Sequence, residues 1–274
     1  IKHILIISAY ADSNPWSNSF ITPIVTMASQ DSTIGVYTIN LKMFAVQKNS
    51  VNVEKFEEGI CEKLPQYTPK MVVFIGNASF VFCDNLNKIW PDIPMLLCGE
   101  RDYTGPDSLI IEAHPLTPQQ RIPISDLQKT MNLTMMHAKL YMEENLQLMK
   151  QLIPQMKKVI YIADGTYMCQ QNNYDLSTII KEKYPETSAM QLQVYHPSRQ
   201  KTPLTKGMDG FLYPPCMEMV PPRFAISRAN RYMIDHADHI IAYVHFPGRA
   251  RDLLEYARRR EKQGLLQIDC MEIP

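Results

Sequence analysis

Glycine is scarce in this chain, 10 residues in 274. None of them build a G-x-G-x-x-G or a G-x-x-x-x-G-K-[ST] loop, so neither glycine-rich phosphate cradle is expected. H-E-x-x-H and G-x-S-x-G are also missing, which removes the common zinc-peptidase and serine-hydrolase signatures. Six cysteines stand at 61, 83, 98, 169, 216 and 270. No two form C-x-x-C, which argues against a zinc knuckle or a thioredoxin-like pair. Cys83 and Cys98 lie beside apolar runs and read as small buried hydrophobes. The seven histidines lack metal-ligand spacing; His236 and His239 are three apart, but across a helix-to-strand turn. No metal and no cofactor is expected.

Charge of one sign is missing too. Lys+Arg and Asp+Glu are both 28, which gives no electrostatic reason to expect nucleic acid or an anionic membrane as partner. The balance shifts along the chain: residues 1–198 hold 16 basic and 19 acidic side chains, residues 199–274 hold 12 and 9. No run approaches the ~20 apolar residues of a membrane helix. No signal peptide opens the chain, and a strand in its first residues is expected of a fragment of a longer protein.

What is present is alternation. Short apolar runs at 3–8, 33–39, 70–76 and 94–99 read as strands, with amphipathic stretches between them. That rhythm belongs to a parallel sheet covered by helices. Residues 100–127 break it with a Pro-rich, irregular segment. A helix is expected over "MMHAKLYMEENLQLMKQLIPQM", with Leu140, Leu148, Met149 and Leu152 on its apolar face. Alternation then resumes to the end. The fold class is α/β, with two Rossmann-like, doubly wound parallel-sheet lobes. The divisions expected are 1–130, 131–198 and 199–274.

In such sheets ligands bind at the carboxyl ends of the strands. Four loops fall there: "YADSNPWSNSF" with Tyr10 and Trp16, "GNAS" with Asn77 and Ser79, "GERDY" with Glu100, and "DGTY" with Asp164 and Tyr167. Each alone is ordinary turn composition. Together they favour a ligand cleft. No nucleophile sits beside a base, so the cleft reads as binding, not catalytic. Turnover by the acids of "GERDY" is a third and weaker reading. Trp16 over the cleft suits a sugar or another small nutrient with an apolar face.

Two resemblances extend this. Residues 1–198, through "SAYADSNPWSNSF", "FIGNASF", "IPMLLCGE" and "NLQLMKQLIPQMKKVIYIADGTY", resemble the periplasmic-binding-protein-like sensor domains of bacterial hybrid two-component histidine kinases. That resemblance implies a type I periplasmic-binding-protein-like fold and an extracytoplasmic location. It also implies a ligand contacted by Trp16, Asn77, Glu100, Asp164 and Tyr167, and a kinase outside this chain. Residues 204–272, through "GFLYPPCMEMVPPRFAISRANRYMIDHADHIIAYV" and "LLEYARRR", are similar to the carboxy-terminal half of a SLOG-superfamily, Rossmann-like family suspected of binding nucleotide derivatives. It implies a cytoplasmic alternative with Glu218, Arg223, Ser227, Arg228 and Asn230 at a nucleotide. The glycine-rich first half of that family has no counterpart here. The Arg and Ser of "AISRAN" read equally well as helix surface and cap. A homodimer stays open on either reading.

Overall fold

The computed structural model describes residues 2–12, 14–43, 55, 58–60, 62–64, 66–162, 166–194, 209–212, 214, 215, 217–242, 244 and 249–270. The chain divides into two compact units, Ile1–Met190 and Gln191–Pro274.

The first unit is organised by a five-stranded parallel sheet. Its strands are β1 (Lys2–Ser8), β2 (Ile34–Asn40), β3 (Met71–Ile75), β4 (Met95–Gly99) and β7 (Leu133–His137), in the order β2-β1-β3-β4-β7. The register sets Ile7 of β1 beside Phe74 of β3, Phe74 beside Leu97 of β4, and Gly99 beside His137. Strands buried on both faces need apolar side chains at every position. Leu5, Ile7, Val72, Phe74 and Leu97 enter one core, and Ile6, Val73, Ile75 and Cys98 enter another. Helix α1 (Pro15–Ala28) covers the second face with Trp16, Phe20 and Ile24. Asn14 starts that helix, its side chain accepting from the Ser17 amide at 2.9 Å, and Pro15 takes the first helical position. The other face is packed by a 3-10 turn, Asn77–Phe82, and helix α2 (Cys83–Ile89).

Between β4 and β7 the chain forms a small antiparallel pair, β5 (Tyr103–Thr104) with β6 (Ile122–Pro123). Two short helices, α3 (Asp107–Ile111) and α4 (Ile124–Leu127), flank it. Ile110, Ile111, Leu116 and Ile124 are buried there. This region is therefore part of the first core. Proline and polar residues hid its apolar positions from a periodicity reading.

Residues 133–137 depart from expectation. "LTMMH" is the fifth strand of the sheet, not the start of a helix. The next helix, α5 (Met142–Leu152), begins only at Met142, and its buried residue is Leu146. Leu140 precedes the helix and Leu152 is exposed. The pairing Met95↔Leu133 adds a hydrogen-bonded edge to the sheet, and that tertiary gain outweighs the helical preference of a Met-rich run.

Strand β8 (Lys158–Ile162) follows, then helix α6 (Tyr167–Lys183) and strand β9 (Ser188–Val194). Leu146, Met156, Val159, Leu176 and Ile180 form a separate small core. Helix α6 starts seven residues before the periodic run "YDLSTIIKEKY", taking "YMCQQNN" into its first two turns. In the second unit, the end of β9 pairs in parallel with β10 (Gly210–Leu212). Helix α7 (Ala225–Asp235), strand β11 (His239–Ala242), helix α8 (Arg249–Lys262) and strand β12 (Gln267–Cys270) follow, with β11 and β12 parallel. Among the described residues no helix is long and apolar enough to cross a membrane, and no group of three acidic, His or Cys side chains could hold a metal.

Candidate functional site

A sheet ordered 2-1-3-4 reverses its winding between β1 and β3, and that switch point opens a crevice at the strands' carboxyl ends. The sequence places an aromatic on one side of it and an amide on the other. Tyr10 follows β1. Its ring lies so close over Gly76, the residue after β3, that a Cβ there would meet it at 2.7 Å. Gly76 also has a φ of +83°, a left-handed conformation that favours glycine. Trp16 meets Tyr10 edge to face at 5.3 Å and Phe20 at 4.9 Å. Both Tyr10 and Trp16 are half-buried.

The polar residues of the opening loop are largely occupied inside it. Ser17 is buried and bonds the Ser8 hydroxyl at 2.8 Å. Asn14 caps α1, and Asn18 donates to the Asp12 carbonyl at 3.0 Å. What remains is the aromatic pair Tyr10 and Trp16, a half-buried wall that also packs on the second core.

Asn77 is 3% exposed and acts on its neighbour strand. Its Oδ1 accepts from the backbone N–H of Glu100 at 2.9 Å and of Arg101 at 3.1 Å; its Nδ2 donates to the Arg101 carbonyl at 2.8 Å. Gly99 leaves the space for this side chain, since a Cβ there would meet Oδ1 at 2.8 Å. Ser79 is fully buried and donates to the Gly76 carbonyl at 2.8 Å. The reach of these two side chains is therefore inward, toward backbone.

Glu100 differs. Its backbone is held on both sides, by Asn77 at the amide and by His137 Nε2 at the carbonyl, 3.1 Å away. Its half-buried carboxylate has no hydrogen bond or ion pair among the described residues. Burial pushes that carboxyl above the ordinary glutamate range, and the charge of Arg101 pulls it partly back.

Behind Glu100 lies a polar hub that sequence reading missed. Arg101 is 9% exposed. Its Nη1 reaches Asp175 of α6 at 2.7 Å, and its Nη2 donates to Asn172. Arg121 reaches the same Asp175 at 2.7 Å and lies over the Tyr103 ring at 4.5 Å. Gln171, wholly buried, accepts from the Leu116 amide at 2.7 Å. Tyr167 is 2% exposed near this hub, and burial holds its hydroxyl protonated well above the usual tyrosine range. Tyr103 is pushed up to about 12, mainly by burial. One signal was present in the sequence: Gln171 and Asp175 are four apart, so they share a helix face.

The strand ends thus bring together Tyr10, Trp16, Asn77, Ser79 and Glu100, with Tyr167 beside Arg101. Asp164 lies outside the described residues. In the second unit, Arg223, in the turn before α7, and Ser227 and Arg228, in its first turn, are exposed, and Asn230 is half-buried. Arg223 lies over the Phe224 ring at 4.7 Å, and the Ser227 hydroxyl donates to the Phe224 carbonyl at 3.1 Å. Glu218 falls in a 3-10 turn, Met217–Met219. A separate apolar pocket of about 290 Å³ is lined by Leu140, Leu146, Met149, Ile160 and Leu176, with Asn172 and Tyr161 also in its wall.

No family model matches the chain, and no curated protein matches it. Solved structures give loose likenesses. One is a conserved domain protein from Vibrio cholerae, 9% identical, covering 99% of this chain and 74% of that one at a TM-score of 0.46. Another is a ligand-free, open substrate binding protein with adhesive properties from Clostridium difficile, 12% identical, 98% and 74% covered, at 0.39. A third is an extracellular ligand-binding receptor from Verminephrobacter eiseniae, 11% identical, at 0.39, of which this chain spans 63%.

Proposed function

We propose that the chain is a non-catalytic small-molecule-binding domain whose ligand sits at the carboxyl ends of β1, β3 and β4. The observation that carries this is Glu100. A half-buried carboxylate with no partner among the described residues gives up part of its hydration without a protein bond in exchange. Its backbone is nevertheless fixed on both sides, so it is an anchor held ready. The aromatic wall of Tyr10 and Trp16, across the switch point, supplies the apolar contact that small-molecule sites need. The resemblance of residues 1–198 to histidine-kinase sensor domains supports the wider role, an extracytoplasmic sensor that reports occupancy to a kinase outside this chain.

A second reading keeps one supporting observation. Arg228 is exposed in the first turn of α7 and has no partner among the described residues, as a nucleotide phosphate contact would require.

Trp16 provides the test. With Trp90→Phe, Trp16 is the sole indole, since the chain has two tryptophans. Sugars, amino acids, simple amines and adenine nucleotides are titrated while its fluorescence and the melting temperature are followed. A ligand at 100 times its Kd stabilises by about 2.7 kcal/mol. The expected hit changes Trp16 emission and is weakened by Glu100→Ala. A hit that ignores Glu100 and is lost with Arg228→Ala moves the function to the second unit. No hit in any class sinks the proposal.

A further inference from the structure

The charge at these strand ends is one-sided. Residues 100–102 read Glu-Arg-Asp, which looks balanced in sequence. In the fold the three separate. Arg101 turns inward and is engaged by Asp175 and Asn172. Its remaining Nε is buried, with no solvent access and no bonding partner. Glu100 is half-buried and Asp102 exposed, and neither carboxylate bonds or pairs with any described residue. Two carboxylates therefore flank a cation already neutralised from behind.

The other cations described near this edge are engaged as well. Arg121 pairs with Asp175 at 2.7 Å. Lys42 pairs with Asp12 at 3.9 Å, and Lys139 with Glu144 at 2.9 Å. The His137 ring bonds the Glu100 carbonyl. The two arginines held inside this edge are thus already taken, while Lys42 and Lys139 sit in more exposed pairs.

The half-buried Tyr10 and Trp16 rings belong to the loop after β1, and ring faces attract cations. Tyr10 follows β1 and Glu100 follows β4, with β3 between them. Two strand spacings put these ends about 10 Å apart, the span of a small organic molecule.

We propose that the ligand is an organic cation, an amine or quaternary ammonium without a carboxylate, its charge on Glu100 and its body against Tyr10 and Trp16. This rests on the strand-end site argued above and names its ligand class. Asp102, more exposed, adds long-range attraction that salt screens.

The test is calorimetric titration of the full chain with putrescine, ethanolamine and choline as cations. Glucose and ribose serve as neutral probes, and glycine and β-alanine as zwitterions. At least one cation binds, and the sugars and amino acids bind far more weakly or not at all. Glu100→Gln keeps the shape but removes the charge and raises the cation's Kd by about 10- to 100-fold, while circular dichroism is unchanged. Asp102→Asn raises it only a few-fold, and that part disappears in high salt. A sugar whose binding depends on Glu100 overturns the cation and keeps the site. Glycine or β-alanine binding as tightly as ethanolamine overturns the exclusion of carboxylates. If no probe of any class depends on Glu100, both the cation and the strand-end site are wrong.

Discussion

The inner and outer sides of one strand edge use the same residue types in opposite ways. On the inside, Asp175 receives two guanidinium groups, and Asn77 makes three bonds to the backbone of residues 100 and 101. On the outside, Glu100 and Asp102 receive none. A buried polar group without partners costs stability, and the inner set meets that demand at every named group except Arg101 Nε. That demand does not account for Glu100. That difference separates polar residues that hold the protein together from those that await something else.

The sharpest way to break this contrast is to remove Asp175. Its carboxylate is 15% exposed and neutralises Arg101, which is 9% exposed. Asp175→Ala leaves both guanidiniums without a counter-charge and should cost about 3–5 kcal/mol, as removing one partner of a buried pair does. Adding Arg101→Met should recover part of that loss, because the orphaned charge goes too. Urea denaturation of the two variants measures both. The second unit offers a control in Arg260 and Asp235, 3.3 Å apart and about 30% exposed. Asp235→Ala there also takes the acceptor from the Tyr256 hydroxyl, 2.6 Å away, and should cost about 1–2 kcal/mol. Equal losses at the two sites would end the claim that the inner hub is structural.

Asn77 comes next. Asn77→Ala removes the acceptor for two buried backbone N–H groups and should cost about 2–3 kcal/mol. It should also weaken ligand binding, since the Glu100 backbone loses one of its two fixings. Ser79→Ala removes only the bond to the Gly76 carbonyl, worth about 1 kcal/mol, and should leave affinity alone. Melting curves with and without a bound probe separate the two. A Ser79 variant that lost affinity would show that the aromatic wall depends on the turn below it.

The sequence made the strand ends easy to find and their roles hard to read. β1, β3 and β4 are unbroken apolar runs, and their following loops gather by topology alone. Tyr10, Trp16 and Glu100 could be named on that ground. Roles depend on which way a side chain turns. Glu100, Arg101 and Asp102 are adjacent in sequence, yet only the middle one is buried. Asn77 and Ser79 are common turn residues, and only the fold shows that they bond inward. The hub needed contacts 54 and 71 residues apart, Arg121 with Asp175 and Arg101 with Asn172. No local spacing encodes such a separation. β7 was misread for a related reason: its strand form comes from pairing with β4, not from its own composition.

The smallest effect is the most diagnostic, because it moves stability and binding in opposite directions. Burial raises the Glu100 carboxyl above its unfolded value. A raised carboxyl binds its proton more tightly in the folded state, so its contribution favours folding below the unfolded pKa and is lost as pH rises through the folded one. At neutral pH the ionised Glu100 therefore weighs against the ligand-free fold. Glu100→Gln, which cannot ionise, should melt slightly higher than the parent protein at pH 7 and lose that advantage toward pH 4. Cation binding runs the other way. Protons compete with the ligand for the carboxylate, so affinity should fall on acidification, by at most about tenfold per pH unit. Melting temperature and Kd of both proteins between pH 4 and 8 test this together. If Glu100→Gln is the less stable protein at pH 7, the carboxylate already has a partner in the fold, and the contrast between the two sides of the edge fails at its central residue.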